Sequence, residues 1–399
     1  MKMARKSWGI LQKIRKYGIW GSFRKLLKRL LKSGGVYWRL AQLIIAPAYR
    51  QRRILGIWDY KALPWSIGDP LVFMEMLSVI KLEADAEAVD VCVVYDRDNP
   101  NGIRSRPGKD IITAENAQDY MLELLPLFGT SPYIGSIFQF NSRREFYSFL
   151  KNNLQRYDIF PPLAEHLAET YNYVGSCKHF LEVQDFHKRH GYVPYLKVND
   201  RDMSWAKWFY KIHLGKNSVP VTLSLRRSLT PDERNADPGV WMNFLDRCKE
   251  SFPEVVFVTV GLREETLEGL RNRPNVLIAK DFGTSILEDM ALIRNSLLYM
   301  GTNSGINTIA QFSDLPYIIF QFPVQSLHTV GFKSGENFNF ATKDQRVFTT
   351  DIEVTPDFLF EKFKKLYARL DHDAWRGKVS ENARNKHTHP SSKVADLKS

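Results

Sequence analysis

The residues best placed to do chemistry are Gly301-Thr302-Asn303-Ser304-Gly305, between the apolar Leu297 to Met300 and the run Ile306-Asn307-Thr308-Ile309-Ala310. The pattern predicts a short buried strand, a tight turn, a helix opening near Asn303 and a second strand after Pro316. A small-residue turn that feeds a helix start leaves several backbone N–H groups without partners, all pointing one way. Together with the helix dipole they suit an anion, most often phosphate. The same pattern also serves a plain connection with an N-cap. Two other features keep it company. Ser224-Leu225-Arg226-Arg227, with Arg234-Asn235 beyond it, stands at the end of a predicted strand. A guanidinium fork there fits a diphosphate, although the arginines could equally bridge to Asp232 and Glu233. Trp65-Ser66-Ile67-Gly68-Asp69-Pro70 follows another strand, and Asp69 at the mouth of a helix can serve as a functional carboxylate, as an N-cap ahead of Pro70 at the first helical position, or as both.

The elements that must position these residues alternate. Arg53 to Asp59 reads as a buried strand, Pro70 to Leu82 as a helix, Val89 to Tyr95 as a strand and Ala114 to Leu125 as a helix. A strand at Ile134 to Phe140 and a helix at Ser142 to Tyr157 continue the rhythm, and residues 158 to 217 read as a helical join. The second half reads Val219 to Leu225 as strand, Pro238 to Ser251 as helix and Val255 to Val260 as strand. Glu264 to Asn272 reads as helix, Val276 to Ala279 as strand, Ser285 to Arg294 as helix and Pro356 to Leu370 as a last helix. Strands alternating with helices predict an α/β fold with mostly parallel sheets, whose ligands sit beyond the carboxyl ends of the strands. The expected division is an arm at 1–52, an N-terminal Rossmann-like domain at 53–217, a C-terminal one at 218–375 and a polar tail at 376–399, with a cleft between the two domains.

At 399 residues the chain can hold two ordinary domains, and its 44% hydrophobic and 25% charged residues suit a globular protein. Its three cysteines are scattered, which fits a reducing compartment. The net charge of +12 is concentrated at one end, because 15 Lys or Arg and no acidic residue precede Asp59. There Phe23, Leu26, Leu27, Leu30 and Leu31 follow helical spacing while Arg24, Lys25, Lys28, Arg29 and Lys32 fill the other face. With Trp8 and Trp20 nearby, this amphipathic arm suits an anionic lipid surface, each basic residue contributing roughly 1 kcal/mol. A nucleic-acid arm would share the charge but not the Trp and Leu, and a mitochondrial presequence would be richer in Ser. The longest apolar run, Leu40 to Ala48, falls far short of the roughly 20 residues of a spanning helix.

Gly68-Asp69 followed by Leu71 to Lys81 resembles the opening of bacterial lipopolysaccharide heptosyltransferases. Gly283-Thr-Ser-Ile-Leu-Glu288, then Gly301 to Ala310 and Pro316, resembles that family's donor-binding end; Asn303 stands where the family has Asp, and Thr308 where it has His. Arg226-Arg227 and Arg234-Asn235 are similar to the arginine motif of fucosyltransferases with the same architecture. The resemblance implies a GT-B glycosyltransferase that moves a sugar from a nucleotide-activated donor to a lipid-linked or polysaccharide acceptor in bacterial cell-surface assembly. It implies Asp69 as the base, and Arg226, Arg227, Arg234, Asn235, Thr302, Asn303, Ser304 and Gly305 around the donor. Glu264, or Glu265 beside it, would hold the ribose. With arginines and amides on the phosphates, no metal or other cofactor is required, and no nucleic acid is expected as partner. The implied location is the cytoplasmic face of the inner membrane, with the protein held peripherally by its arm. A sugar-nucleotide epimerase on the same fold and a non-catalytic glycan- or membrane-binding protein are the competing readings.

Asp96-Arg97-Asp98 matches the metal-holding triplet of GT-A transferases, but it recurs at Asp200-Arg201-Asp202 and sits in a turn-rich stretch. His187 with His190, and His387 with His389, lack a third ligand at a recognised spacing for zinc.

Overall fold

A computed structural model describes residues 52–95, 116–167, 177–227 and 233–376. The basic arm, Asp96-Arg97-Asp98 and the polar tail beyond Arg376 lie outside the described residues. The chain divides into two compact units between Lys197 and Val198.

The first unit is built on a parallel sheet of β1 (Arg53–Asp59), β2 (Val89–Val94), β3 (Ile134–Phe140) and β4 (Tyr157–Phe160), in the order β3-β2-β1-β4. Its helices are α1 (Gly68–Glu83), α2 (Ala117–Leu124), α3 (Arg143–Asn153), α4 (Leu163–Leu167) and α5 (Cys177–His190). β1 and β2 are near-continuous apolar runs because both faces are covered, whereas β3, at an edge, alternates between half-buried and exposed positions. α1 is buried from Pro70 through Val79 with almost no amphipathic bias, as expected of a helix packed on more than one side. It presses so closely on β1 that a Cβ at Gly56 would meet Leu77 Cδ1 at 2.4 Å. At the amino ends of the strands, Arg53 grips Asp90 through two bonds of 2.8 and 2.7 Å, and the Tyr157 hydroxyl donates to the same carboxylate at 3.0 Å. The space for that guanidinium is left by Gly135, where a Cβ would stand 2.0 Å from Arg53 Nη2.

The second unit carries six parallel strands in the order β10-β9-β8-β5-β6-β7. They are β5 (Val219–Ser224), β6 (Val255–Thr259), β7 (Val276–Ile278), β8 (Leu298–Thr302), β9 (Tyr317–Phe322) and β10 (Gln345–Thr349). Its helices are α6 (Asp200–His213), α7 (Pro238–Ser251), α8 (Ile286–Asn295), α9 (Thr308–Gln311), α10 (Leu327–Val330) and α11 (Pro356–Tyr367). α7 starts where Asp237 accepts from Val240 N–H at 3.0 Å with Pro238 next, a strong N-terminal signal. Its Phe244 stacks edge-on against Phe257 of β6 at 5.6 Å and Phe363 of α11 at 5.8 Å, which seals one face of the sheet. α6 packs on α8, with the Tyr210 hydroxyl donating to Leu292 O at 2.7 Å.

Two expectations need correction, and one strand is added. Tyr157 to Phe160 is a strand beside β1, not the end of a helix; its aromatic and β-branched residues suit an extended chain, and Pro161 follows. Glu264 to Asn272 is not a helix but two 3-10 turns, Arg263–Glu265 and Glu268–Leu270. Buried Leu267 and Leu270 repeat every three residues, which fits the tighter turn. β10 is an additional edge strand.

Candidate functional site

In the second unit, β5 continues to β6 on one side while its neighbour on the other side is β8, which continues to β9. The order therefore reverses between β5 and β8, and ligands of open parallel sheets bind beyond the carboxyl ends at such a switch point. Arg226 and the turn at Ser304 follow those two strand ends. The approach is close, since a Cβ on Gly301 would lie 2.1 Å from Ser224 O. Thr302 is fully buried, and its hydroxyl accepts from Arg226 N–H at 2.8 Å, so it ties the two strand ends together. Ser224 and Ser304 hydroxyls stand 3.3 Å apart above buried Tyr299, whose phenol is pushed above its ordinary range by burial.

The turn differs in detail from the expected helix opening near Asn303. The helix is a 3-10 turn, Gly305–Asn307, running into the four-residue α9, so its dipole is short. Asn303 N–H is spent on Phe320 O at 2.8 Å, and Ser304 N–H on Asn307 Oδ1 at 3.3 Å. The N–H groups of Gly305 and Ile306 are left as the donors with no acceptor among the described residues. Asn303, Ser304 and Gly305 are half-buried.

The loop after β5 is held at both ends. Ala236 N–H donates to Arg226 O at 2.9 Å, and Gln321 Nε2 donates to Asn235 O at 3.0 Å. Arg226, Arg234 and Asn235 are half-buried and Arg227 is exposed. On the β6 side, Gly261 takes φ +117°, a conformation that favours glycine, and its N–H donates to Asp289 Oδ2 at 3.1 Å. Burial pushes the Asp289 carboxyl up to about 6, against Lys280 Nζ at 2.9 Å and a Thr284 hydroxyl donating at 2.6 Å. The 3-10 turn Arg263–Glu265 follows, with Glu265 half-buried. The Glu264 side chain lies outside the described residues.

In the first unit the order reverses between β1 and β4. Asp59 closes β1 there and is 1% exposed. Its carboxylate accepts from Arg143 Nη2 at 2.5 Å and Lys61 N–H at 3.0 Å, and His166 Nε2 stands 3.8 Å away. The sequence reading missed this trio, whose members come from β1, α3 and α4; the only signal was an acidic residue closing an apolar strand. Asp69 does not cap α1. The cap position is Ile67, in helical conformation and without a side-chain bond, and Asp69 lies inside the first turn. Ser66 Oγ instead donates to the Asp69 carboxylate and accepts from its N–H at 3.3 Å. The carboxylate is half-buried, at the positive end of a 16-residue helix.

Asp200 and Asp202 belong to the first turn of α6, where Asn199 accepts from Asp202 N–H at 2.9 Å. His190 pairs with Glu83 at 2.9 Å. Among the described residues, no group of His, Cys, Asp and Glu could hold a metal ion, and no helix is long and apolar enough to cross a membrane.

No protein-family model and no curated protein matches the chain. Among solved structures, it is similar to the ADP-heptose lipopolysaccharide heptosyltransferase II of E. coli, with a TM-score of 0.50 and 13% identity over 79% of this chain and 99% of that one. A glycosyl transferase family 9 protein from Veillonella parvula aligns with a TM-score of 0.49 and 12% identity, over 79% and 97% of the two chains. A putative UDP-N-acetylglucosamine 2-epimerase from Listeria monocytogenes aligns with a TM-score of 0.34 and 10% identity, over 83% and 91%. The likeness to the heptosyltransferase, together with two parallel sheets each flanked by helices, gives this chain the GT-B type of α/β fold, with two Rossmann-like units.

Proposed function

We propose that the chain is a glycosyltransferase that moves a sugar from a nucleotide-activated donor to a lipid-linked or cell-surface polysaccharide acceptor at the cytoplasmic membrane face. The observation that carries this reading is the β5–β8 switch point, where Arg226 and the turn holding the Gly305 and Ile306 amides follow two adjacent strand ends tied together by the Arg226 N–H bond to the Thr302 hydroxyl. Such an arrangement suits a diphosphate, and the fold is that of a protein named for an ADP-heptose donor.

In the proposed reaction an acceptor hydroxyl oxygen bonds to the anomeric carbon while the bond to the diphosphate oxygen breaks. The transition state has oxocarbenium character, and negative charge grows on the leaving diphosphate. Preorganised donors stabilise that charge, which assigns Arg226, the Gly305 and Ile306 amides and the Ser304 hydroxyl to the phosphates. Asn303, Arg227, Arg234 and Asn235 complete the donor site, and Glu265, or Glu264, is assigned to the ribose. Asp69 receives the hydroxyl proton; its bond from Ser66 orients the carboxylate. The amphipathic arm provides the membrane contact.

The test is incubation of the full chain with a panel of nucleotide sugars, with and without membrane lipid extract as acceptor, following nucleoside diphosphate release and the fate of the sugar. Release that requires the extract, with label moving into lipid or polysaccharide, supports transfer. An isomerised or free sugar without any acceptor makes the chain an epimerase, and no turnover with any donor removes the enzymatic reading.

A further inference from the structure

Large apolar side chains stand exposed together on the outer flank of α6. Trp208 and Ile212, four residues apart and so neighbours on that helix, are each 54% exposed, and Trp205 beside them is half-buried. Phe282, 48% exposed, joins from the 3-10 turn after β7, its ring 5.4 Å from that of Phe209 and 4.3 Å from that of His213. Single apolar side chains on a surface are ordinary, but a contiguous group marks a contact surface. Tryptophan beside aliphatic side chains suits the boundary between lipid headgroups and acyl chains, where the ring is buried and its N–H stays wet. The surrounding charge favours the same partner. No acidic residue lies between Asp202 and Asp232, whereas Lys211 and Lys216 are exposed and Lys207 is half-buried. Asp200 and Asp202 stand in the first turn of α6, at its other end. On the Phe282 side, Asp281 is held by Arg271 at 2.5 Å, and Glu288 accepts from Ser285 N–H at 2.7 Å. The surface is thus apolar with a basic border, which an anionic bilayer complements and which the chain's own basic arm does not.

Its position gives this surface a use. α6 starts beside the amino ends of the strands, where Met203 O accepts from Asn295 Nδ2 at 3.3 Å, and finishes beside the turn that follows β7. Ile212 and Phe282 therefore lie at the carboxyl end of the sheet, the end that carries the phosphate turn. β7 is two strands, roughly 10 Å, from β5, so the surface flanks the donor site without covering it. We propose that Trp208, Ile212 and Phe282 dip into an anionic bilayer and set this end of the second unit against the lipid. Three half-exposed side chains are a weak anchor alone, and stable attachment takes two signals, so the arm holds the protein and this surface orients it. The inference rests on the arm's attachment to the membrane and goes beyond it by naming a second surface that faces lipid.

A polarity-sensitive nitrobenzoxadiazole label tests it on the full chain carrying Cys177→Ser, in which Cys92 and Cys248 are buried. The label is attached through Ile212→Cys or, as a control on the exposed end of α7 at the other end of the sheet, through Glu250→Cys. With vesicles of phosphatidylglycerol and phosphatidylcholine, the label at 212 should brighten several-fold, shift to the blue and be quenched by doxyl lipid, while the label at 250 should not respond. In sedimentation with the same vesicles, Trp208→Ser combined with Ile212→Ser should weaken binding about tenfold and leave nucleoside diphosphate affinity within about twofold. Vesicle binding without a response at 212, or with an equal response at 250, overturns the oriented contact and leaves the arm's role standing. No binding of the full chain to these vesicles overturns both. A dimer seen by light scattering without lipid, and dispersed by Trp208→Ser, makes the surface a contact between copies of the chain and overturns the lipid assignment.

Discussion

Glu75 sits in the middle of α1 with no exposed surface, and neither carboxyl oxygen has a partner among the described residues. Burial holds its carboxyl well above the ordinary 4.5, and the polar neighbour that senses it is the Tyr133 phenol rather than a cation. The side chain therefore keeps its proton to a higher pH in the folded protein than in the unfolded chain. Between the ordinary value and the raised one the folded chain keeps a proton that the unfolded chain has lost, which costs about 1.4 kcal/mol of stability for each pH unit of that interval. The sign follows from the raised value: the penalty is absent at acid pH and grows as pH rises toward the folded-state pKa. Glu75→Gln removes the titration but keeps a polar group, whereas Glu75→Met also removes the polarity. Urea unfolding at pH 5, 6, 7 and 8, followed by tryptophan fluorescence that reports this unit through buried Trp58 and Trp65, gives the difference between wild type and variant. That difference should grow in favour of Glu75→Gln across the series, and Glu75→Met should be more stable still. A pH-independent difference, or a destabilised Glu75→Gln, would refute the raised carboxyl.

Asp69→Ala should leave nucleoside diphosphate affinity nearly intact and abolish transfer; unchanged turnover would remove Asp69 from the mechanism. Gly301→Ala drives a Cβ to within 2.1 Å of Ser224 O, so it should cost about 3 kcal/mol of stability and weaken nucleotide binding, measured by melting and titration. Asp289, held near 6, should make wild type lose about 3 kcal/mol between pH 3.8 and 6, because the unfolded chain ionises first. Asp289→Asn should be flatter over that window in acid urea titrations. Deleting residues 1–50 should leave a folded remainder that no longer sediments with anionic vesicles; persistent sedimentation would contradict the arm's role.

Much of the fold was legible because its central strands are buried on both faces. Arg53–Asp59 was delimited correctly for that reason, the edge strand Ile134–Phe140 was delimited correctly without it, and α7 was fixed by Pro238 at its start. The misses lie where local pattern is weak. β10, Gln345-Arg-Val-Phe-Thr349, is a short edge strand with no sustained apolar run, and β4 continues a helical stretch without a break residue. In the site, the phosphate turn was readable because its residues are contiguous. The bonds that consume the Asn303 and Ser304 amides were not, since they depend on β9 and on the Asn307 side chain. Asp59 with Arg143, separated by 84 residues, and the left-handed Gln321 are products of topology and local strain, which no spacing rule encodes.

The most direct test of the account is equilibrium titration of the full chain with ADP, GDP and UDP, repeated on Arg226→Ala. Saturable binding of at least one of them at a single site is expected, weakened at least tenfold by the substitution. Binding that Arg226→Ala leaves unchanged, or no binding of any of the three, would contradict the proposed donor site at the β5–β8 switch point.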